Sequence, residues 1–260
     1  MIVKIKKYVI KYIPKRLRDL LYVMTYRRMV SKDKEIYEKI LKGKKGIEIG
    51  GPSIIFKDIL KVYQVASGLD GVNYSDKTMW EGSISEGFNY KYYNNRVGHQ
   101  YIRDAVDLRD IDANKYEFII SSNCLEHVAN PIKALNEWKR VVNSNGYILL
   151  ILPNKKENFD HNRQVTSFHH LLNDFNDNVS EDDLTHIEEI LKLHDLSLDL
   201  HAGSKSDFEI RCKNNYINRG IHHHVFDMPL ILEMFSHLGM NTIHYTITNK
   251  DIFVLGGINK

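Results

Sequence analysis

The chain of 260 residues has only two cysteines, Cys124 and Cys212, far apart in sequence. That scarcity excludes a disulfide-stapled scaffold and a C-x-x-C metal site, and it fits a reducing compartment. No window approaches the ~18 uninterrupted apolar residues of a membrane-spanning helix. The lysines from Lys4 to Lys15 interrupt any secretory apolar region, so the expected location is the cytoplasm. Charge of one sign is lacking too: 36 basic against 33 acidic side chains leave +3, too little to argue for a nucleic-acid partner. Prolines number five, and neither a Pro- or Ser-rich linker nor an internal repeat divides the chain. What is present is ordinary for a globular protein, 43% apolar and 27% charged residues, at a length suited to one α/β domain with an elaboration.

The basic residues are unevenly placed. Lys4, Lys6, Lys7, Lys11, Lys15, Arg16, Arg18, Arg27 and Arg28 crowd residues 1–30 against the single acid Asp19, interleaved with Ile2, Val3, Ile5, Val9 and Ile10. Two readings stand: a helix packed on the core with a solvated basic face, or a basic amphipathic helix in peripheral contact with the inner face of a membrane.

Downstream, short apolar strands alternate with helices. Gly46-Ile47-Glu48-Ile49 breaks at Gly50-Gly51-Pro52; extended runs end near Asp70–Asn73 and before Asp104; Tyr116–Ser122 is a strand. Asn130-Pro131 opens a helix carrying Ile132, Leu135, Trp138, Val141 and Val142, and Asn145-Gly146 closes it before the apolar strand Tyr147–Leu152. Strands that are apolar throughout point to a parallel sheet covered on both faces. Met228–Met240 reads as a helix, followed by strands Thr242–Thr248 and Ile252–Leu255 joined by Asn249-Lys250-Asp251, a terminal hairpin. The roughly 75 residues between Pro153 and Met228 have weak periodicity and many His, Asp and Asn. They read as an insertion capping the strand ends, where open α/β sheets bind ligands.

Glycines after a strand let a ligand approach the backbone closely. The turn at Gly50-Gly51 does not match G-x-G-x-x-G, and Pro52 removes an amide donor. Together with the later strand ends, however, the chain resembles class I methyltransferases over residues 44–154 and again at the terminal hairpin. Glu48-Ile49-Gly50-Gly51 looks like their first motif; Asp70, with Asn73 as second candidate, is similar to the acid that takes the ribose hydroxyls; Asp104-Ala105 resembles the pair that recognises adenine. The run Ser121-Ser122-Asn123-Cys124-Leu125-Glu126-His127-Val128-Ala129-Asn130-Pro131, then Glu137–Val142 and Asn145-Gly146-Tyr147, resembles the fourth and fifth segments. Within it, Ser122, Asn123 and His127 are cofactor-site candidates, while Glu126 and His127 can equally cap the following helix. The resemblance implies a Rossmann-like core with a seven-stranded, mostly parallel sheet and S-adenosylmethionine as cofactor. It divides the chain into a basic helical segment (1–43), a cofactor-binding core (44–154), a cap forming the acceptor site (155–227), and a helix and hairpin completing the core (228–260).

Eleven of the thirteen histidines lie after residue 160. They concentrate around Asp160-His161-Asn162-Arg163, Asp183-Leu184-Thr185-His186-Ile187-Glu188-Glu189 and His222-His223-His224-Val225-Phe226-Asp227, segments that resemble a bacterial subfamily associated with surface-polysaccharide modification. Three readings compete. A histidine, with His161, His186 and His223 as candidates, takes the proton of an attacking hydroxyl. Alternatively, His186, Glu189, His222 and Asp227 gather a divalent ion, although the spacing matches no defined zinc pattern and no ion is expected. Or the histidines only hydrogen-bond within an irregular cap; three adjacent ones cannot all face one site. Arg163 and Arg219, with Arg211, suit an anionic substrate or pair with cap acids. Trp80 suits an aromatic wall for adenine or sugar.

The resulting expectation is O-methyl transfer to a sugar or glycan-precursor acceptor. The alternatives are a phosphate or phosphoramidate acceptor, and a non-catalytic partner of a glycosyltransferase. No D/N-P-P-Y/F motif favours nucleic-acid methylation.

Overall fold

The computed structural model describes residues 14–30 and 33–259. Helices α1 (Lys15–Met29) and α2 (Lys34–Leu41) precede the sheet. Val23 and Tyr26 of α1 and the adjoining Val30 are buried in the core, while Leu17, Leu20, Leu21 and Met24 are exposed. Within the expected 1–43 segment α1 and α2 are the described helices, and residues 1–13 and 31–32 lie outside the described residues.

The strands are β1 (Lys45–Ile49), β2 (Gly68–Asn73), the small pair β3 (Lys77–Thr78) and β4 (Gly82–Ser83), β5 (Gly87–Tyr93), β6 (Arg96–Ile102), β7 (Tyr116–Ser122), β8 (Val142–Pro153), β9 (Met240–Ile247) and β10 (Asp251–Ile258). Eight form one sheet in the order β5-β6-β2-β1-β7-β8-β10-β9. Neighbours from β6 to β8 are parallel, and the β9–β10 hairpin is antiparallel on β8. The fold is therefore the Rossmann-like one expected, with eight strands where seven were expected. The extra strand is β5, which turns back at Asn94-Asn95 and pairs antiparallel with β6, Asn94 supplying a positive φ of 47°.

Alternation along the central strands feeds two cores, as a doubly covered sheet requires. Ile119, Ile148 and Leu150 face α3 (Pro131–Val141) and the helix after the cap. Phe118, Ile120, Leu149 and Ile151 face Tyr26, Tyr37, Phe56 and Tyr63 on the other side. Helix α3 starts where expected: Pro131 is its first residue, and the Asn130 side chain accepts from the Lys133 amide at 3.0 Å. Residues 155–227 carry helices α4 (Phe168–Asn176), α5 (Ile187–Leu193), α6 (Lys205–Lys213) and α7 (Asn215–Asn218). They have a small core of their own around Ile187, Ile190, Phe208, Cys212 and Ile221. Helix α8 (Met228–His237) follows, capped by the Asp227 side chain on the Leu230 amide (2.9 Å). Among the described residues no helix is long and apolar enough to cross a membrane.

Candidate active site

At the carboxyl ends of β1, β2, β6 and β7 lies a cavity of about 360 Å³, a size suited to a small-molecule cofactor. Its shape begins with the turn after β1. Gly50 has a φ of 80° and its amide donates to the Val72 carbonyl (2.9 Å), which turns the chain across the end of β2. Gly51 follows above Glu48: a Cβ there would lie 2.2 Å from the Glu48 carboxyl carbon and 2.4 Å from the Tyr90 hydroxyl oxygen. Glu48 itself is fully buried and lies under the loop. Its Oε2 accepts from the hydroxyls of Tyr63 (2.5 Å) and Tyr90 (2.6 Å), and burial pushes its carboxyl up to about 8. The Tyr63 hydroxyl also accepts from the Ser53 amide (2.6 Å), so one buried cluster fixes both limbs of the loop.

Asn73, the last residue of β2, borders the cavity, and its Nδ2 donates to the Gly51 carbonyl at 2.9 Å. Asp104 and Ala105 line the cavity after β6; the Ala105 carbonyl accepts from the indole of buried Trp138 (2.9 Å). Ser122, Asn123, Cys124 and His127 line it after β7, with Asn123 at a φ of 49° turning the chain. Apolar Ile49, Ile55, Val72 and Val128 complete the walls, with Trp80 and Glu81 also on the lining.

Gly50, Asn73, Asp104, Ala105, Ser122, Asn123, His127, Trp80 and Arg219 are thus brought to one cavity. Three cofactor-site candidates are not. Glu48 lies beneath the loop, and Gly51 is the loop residue packed on it, as above. Asp70 sits mid-strand, three residues before the end of β2, where its carboxylate accepts from the His99 amide (2.8 Å) and the Tyr116 hydroxyl (2.7 Å). The strand runs on to Asn73, and that position reaches the cavity. Ser53, Tyr74, Glu81 and Cys124 also line it without having been singled out as cofactor contacts; each is a near neighbour of a residue that was, a signal of adjacency at strand ends. Burial pushes the Cys124 thiol up to about 12, so it is not a nucleophile at neutral pH.

The three cap motifs meet around one side chain. Arg163, 1% exposed, donates to Asp160 Oδ1 (3.1 Å), Glu189 Oε2 (3.3 Å) and the carbonyls of His222 (2.8 Å) and His223 (3.1 Å). It is a structural hub outside the cavity lining, paired with cap acids, the second of the two roles expected of it. Arg219 does line the cavity, but its guanidinium is held by Asp104 (2.8 Å) and Glu181 (2.7 Å).

None of the three expected proton acceptors lines the cavity. His161 is half-buried, 3.9 Å from Asp195. His223 is buried and accepts from Asn215 Nδ2 (3.0 Å), and His186 contacts His170 (Nε2 to Nε2, 3.1 Å). Burial and the nearby His170 and His223 push His186 down to about 4. The expected ion ligands are likewise dispersed: His186 to His170, Glu189 to Arg163, His222 to Asp160 (2.5 Å), and Asp227 to the cap of α8. The histidine on the cavity wall is His127. Its Nδ1 donates to the Ile221 carbonyl (2.8 Å), its ring stands edge-on to Trp80 (5.2 Å between centroids), and burial drives its pKa well below 6.5. The ring is therefore neutral at pH 7.

A mostly apolar cleft with a few convergent carboxylate, amide and hydroxyl groups suits an adenosyl amino acid carrying a positive sulfonium. The sequence model described as a methyltransferase domain matches residues 25–201. No curated protein matches the chain. Among solved structures it is similar to S-adenosylmethionine-dependent methyltransferases from Aquifex aeolicus (11% identity, 87% of this chain and 89% of that one, TM-score 0.45), Mesorhizobium loti (10%, 88% and 99%, 0.46) and Methanosarcina mazei (11%, 86% and 97%, 0.46). With more than half its length matched by the family and its sheet closed by the terminal antiparallel hairpin, the chain belongs to the methyltransferase-domain family and is an S-adenosylmethionine-dependent methyltransferase.

Proposed function

We propose that this enzyme O-methylates a sugar or sugar-linked acceptor used in surface-polysaccharide assembly. The observation that carries the reading is the outer wall of the cavity, where the half-exposed Trp80 indole meets the neutral His127 imidazole. An aromatic face suits the C–H surface of a sugar ring, and an imidazole whose Nδ1–H is already committed offers Nε2 to a hydroxyl. Behind His127 stand Glu126 and His222. In this reading Asn73 serves the ribose hydroxyls, Asp104-Ala105 the adenine, and Gly50 with Ser122-Asn123 the rest of the cofactor. The cofactor supplies an electrophilic methyl group; in-line placement of the acceptor oxygen is the protein's contribution.

The likeness of the three cap motifs to a surface-polysaccharide subfamily supports the choice of acceptor, and all three pack around Arg163 directly behind this wall. A phosphate or phosphoramidate acceptor loses its support, because Arg163 and Arg219 are both neutralised by carboxylates. The test is incubation with methyl-labelled S-adenosylmethionine and a panel of nucleotide sugars, free glycans, amines and phosphates, followed by mass spectrometry. Label on a sugar oxygen is expected; label confined to nitrogen or phosphate oxygen overturns the proposal.

A further inference from the structure

Glu126 lies in the single turn Leu125–His127 that follows β7, and its side chain is 1% exposed. Neither carboxylate oxygen has a hydrogen-bond partner among the described residues. A buried carboxylate left in that state costs several kcal/mol unless a cation or donor meets it. The groups that face it are two imidazoles, with the Asp160 carboxylate beyond His222. His127 commits Nδ1 to the Ile221 carbonyl (2.8 Å), and His222 commits Nδ1 to Asp160 Oδ2 (2.5 Å). What each ring has left to offer is Nε2. The rings stand at 81° with centroids 4.6 Å apart, and one donor atom from each of Glu126, His127 and His222 lies within 4.8 Å of the others. His222 Nε2 and Glu126 Oε1 are 4.0 Å apart, a gap that one ion with bonds of about 2.1 Å can span.

We propose that Glu126, His127 and His222 bind a divalent transition-metal ion at the edge of the cofactor cavity, and that the ion holds the acceptor hydroxyl. Two imidazoles and one carboxylate form a nitrogen- and oxygen-donor set that suits such ions and leaves coordination positions open for substrate. The surroundings have the arrangement that orients ligating histidines: a carboxylate, Asp160, on the distal nitrogen of His222, itself held by Arg163 (3.1 Å), and a backbone carbonyl on that of His127. This accounts for the Arg163 hub, which ties the Asp160 loop and the His222 backbone into one unit. A second histidine group, His170, His186 and His224, is equally close-set. In it His170 and His186 face each other through Nε2 (3.1 Å) and His224 Nδ1 has no hydrogen-bond partner among the described residues, but none of the three lines the cofactor cavity, whereas His127 does, so the group placed to reach an acceptor is the one around Glu126.

The catalytic half of the proposal rests on the O-methylation reading, with the ion standing between His127 Nε2 and the acceptor hydroxyl in place of a direct hydrogen bond. The ion lowers the pKa of a hydroxyl bound to it, and the proton leaves to solvent. The acceptor oxygen then attacks the methyl carbon; the C–O bond forms as the C–S bond breaks, and its electron pair passes to sulfur, leaving an ether and a neutral thioether.

Metal binding is measured on chelator-stripped protein by equilibrium dialysis against Zn²⁺ or Mn²⁺, in a His186→Ala background that removes the second group. About one equivalent is expected. Glu126→Gln, neutral and nearly isosteric, is expected to weaken binding at least 100-fold, with Asp160→Asn weakening it roughly 10- to 100-fold; retained S-adenosylmethionine binding shows that these variants fold. Absence of binding, or equal binding by Glu126→Gln, overturns the site. Chelation is expected to lower O-methyl transfer at least 100-fold, with recovery on adding back Mn²⁺ or Zn²⁺. Full O-methylation by stripped protein removes the ion and leaves the acceptor reading standing, whereas metal-loaded protein that methylates only amines removes the acceptor reading and leaves the site.

Discussion

Replacing Glu48 by glutamine tests whether the glycine loop rests on a buried, neutral acid. Glu48 is fully buried, and burial raises its carboxyl from an ordinary value of 4.5 to about 8. Between those values the folded chain holds one proton that the unfolded chain has lost. Stability from this group is fully present below the unfolded value and is lost as pH rises through the folded one. The slope is about 1.4 kcal/mol per pH unit, or roughly 2.5 kcal/mol between pH 6 and pH 8. Glutamine is neutral throughout, and its carbonyl can still accept from Tyr63 and Tyr90, so its profile lacks this component. Urea unfolding of both proteins at pH 6, 7 and 8 gives the two profiles. Wild-type stability is expected to fall relative to the variant by about that amount. Profiles that stay parallel within ~0.5 kcal/mol would refute the buried neutral acid.

Other consequences follow from single contacts. Gly51→Ala places a Cβ 2.2 Å from the Glu48 carboxyl carbon, so the loop must shift; calorimetry is expected to show cofactor affinity reduced at least tenfold, about 1.4 kcal/mol, and unchanged affinity would show the loop to be dispensable. Arg163→Met leaves Asp160 buried without its guanidinium and strands two backbone carbonyls; a loss of about 3–5 kcal/mol in urea unfolding is expected, and a loss under 1 kcal/mol would contradict its role as a hub. Trp80→Ala is expected to raise the acceptor KM roughly tenfold by removing a central aromatic contact with a smaller change in cofactor affinity; steady-state kinetics with a sugar acceptor decides, and the reverse pattern would place the indole on the cofactor instead.

Much of the core was legible because its signals are local. The Asn130-Pro131 start and the Ile132–Leu135–Trp138 spacing each specify α3 from a few adjacent residues, and continuous apolar strands imply burial on both faces. Strand ends were harder to place: Asp70 has the chemistry of a ribose ligand, yet β2 continues to Asn73, and only the register against β1 and β6 shows which residue reaches the cavity. Strand β5 escaped notice because its alternation, Phe88 to Tyr93, becomes meaningful only beside β6. The cap was the least legible part. Its histidines cluster in sequence, but their partners are distant: His222 meets Asp160, His127 meets Ile221, and Glu181 reaches Ala129 and Arg219. Composition announced a polar cluster; only tertiary contact shows that His127, already noted beside β7, is the imidazole on the cavity wall, while His161, His186 and His223 face elsewhere.

The account stands or falls on what fills the cavity between Gly50, Asn73, Asp104 and Asn123. Isothermal titration of the full chain with S-adenosylmethionine is expected to show one site per chain with a Kd in the roughly 1 µM–1 mM span usual for enzyme ligands. Asn73→Ala and Asp104→Ala, which remove two of the polar groups lining the cavity, are each expected to weaken it about tenfold or more. No heat of binding at millimolar cofactor, or affinities unmoved by both substitutions, would contradict the placement of the cofactor in this cavity.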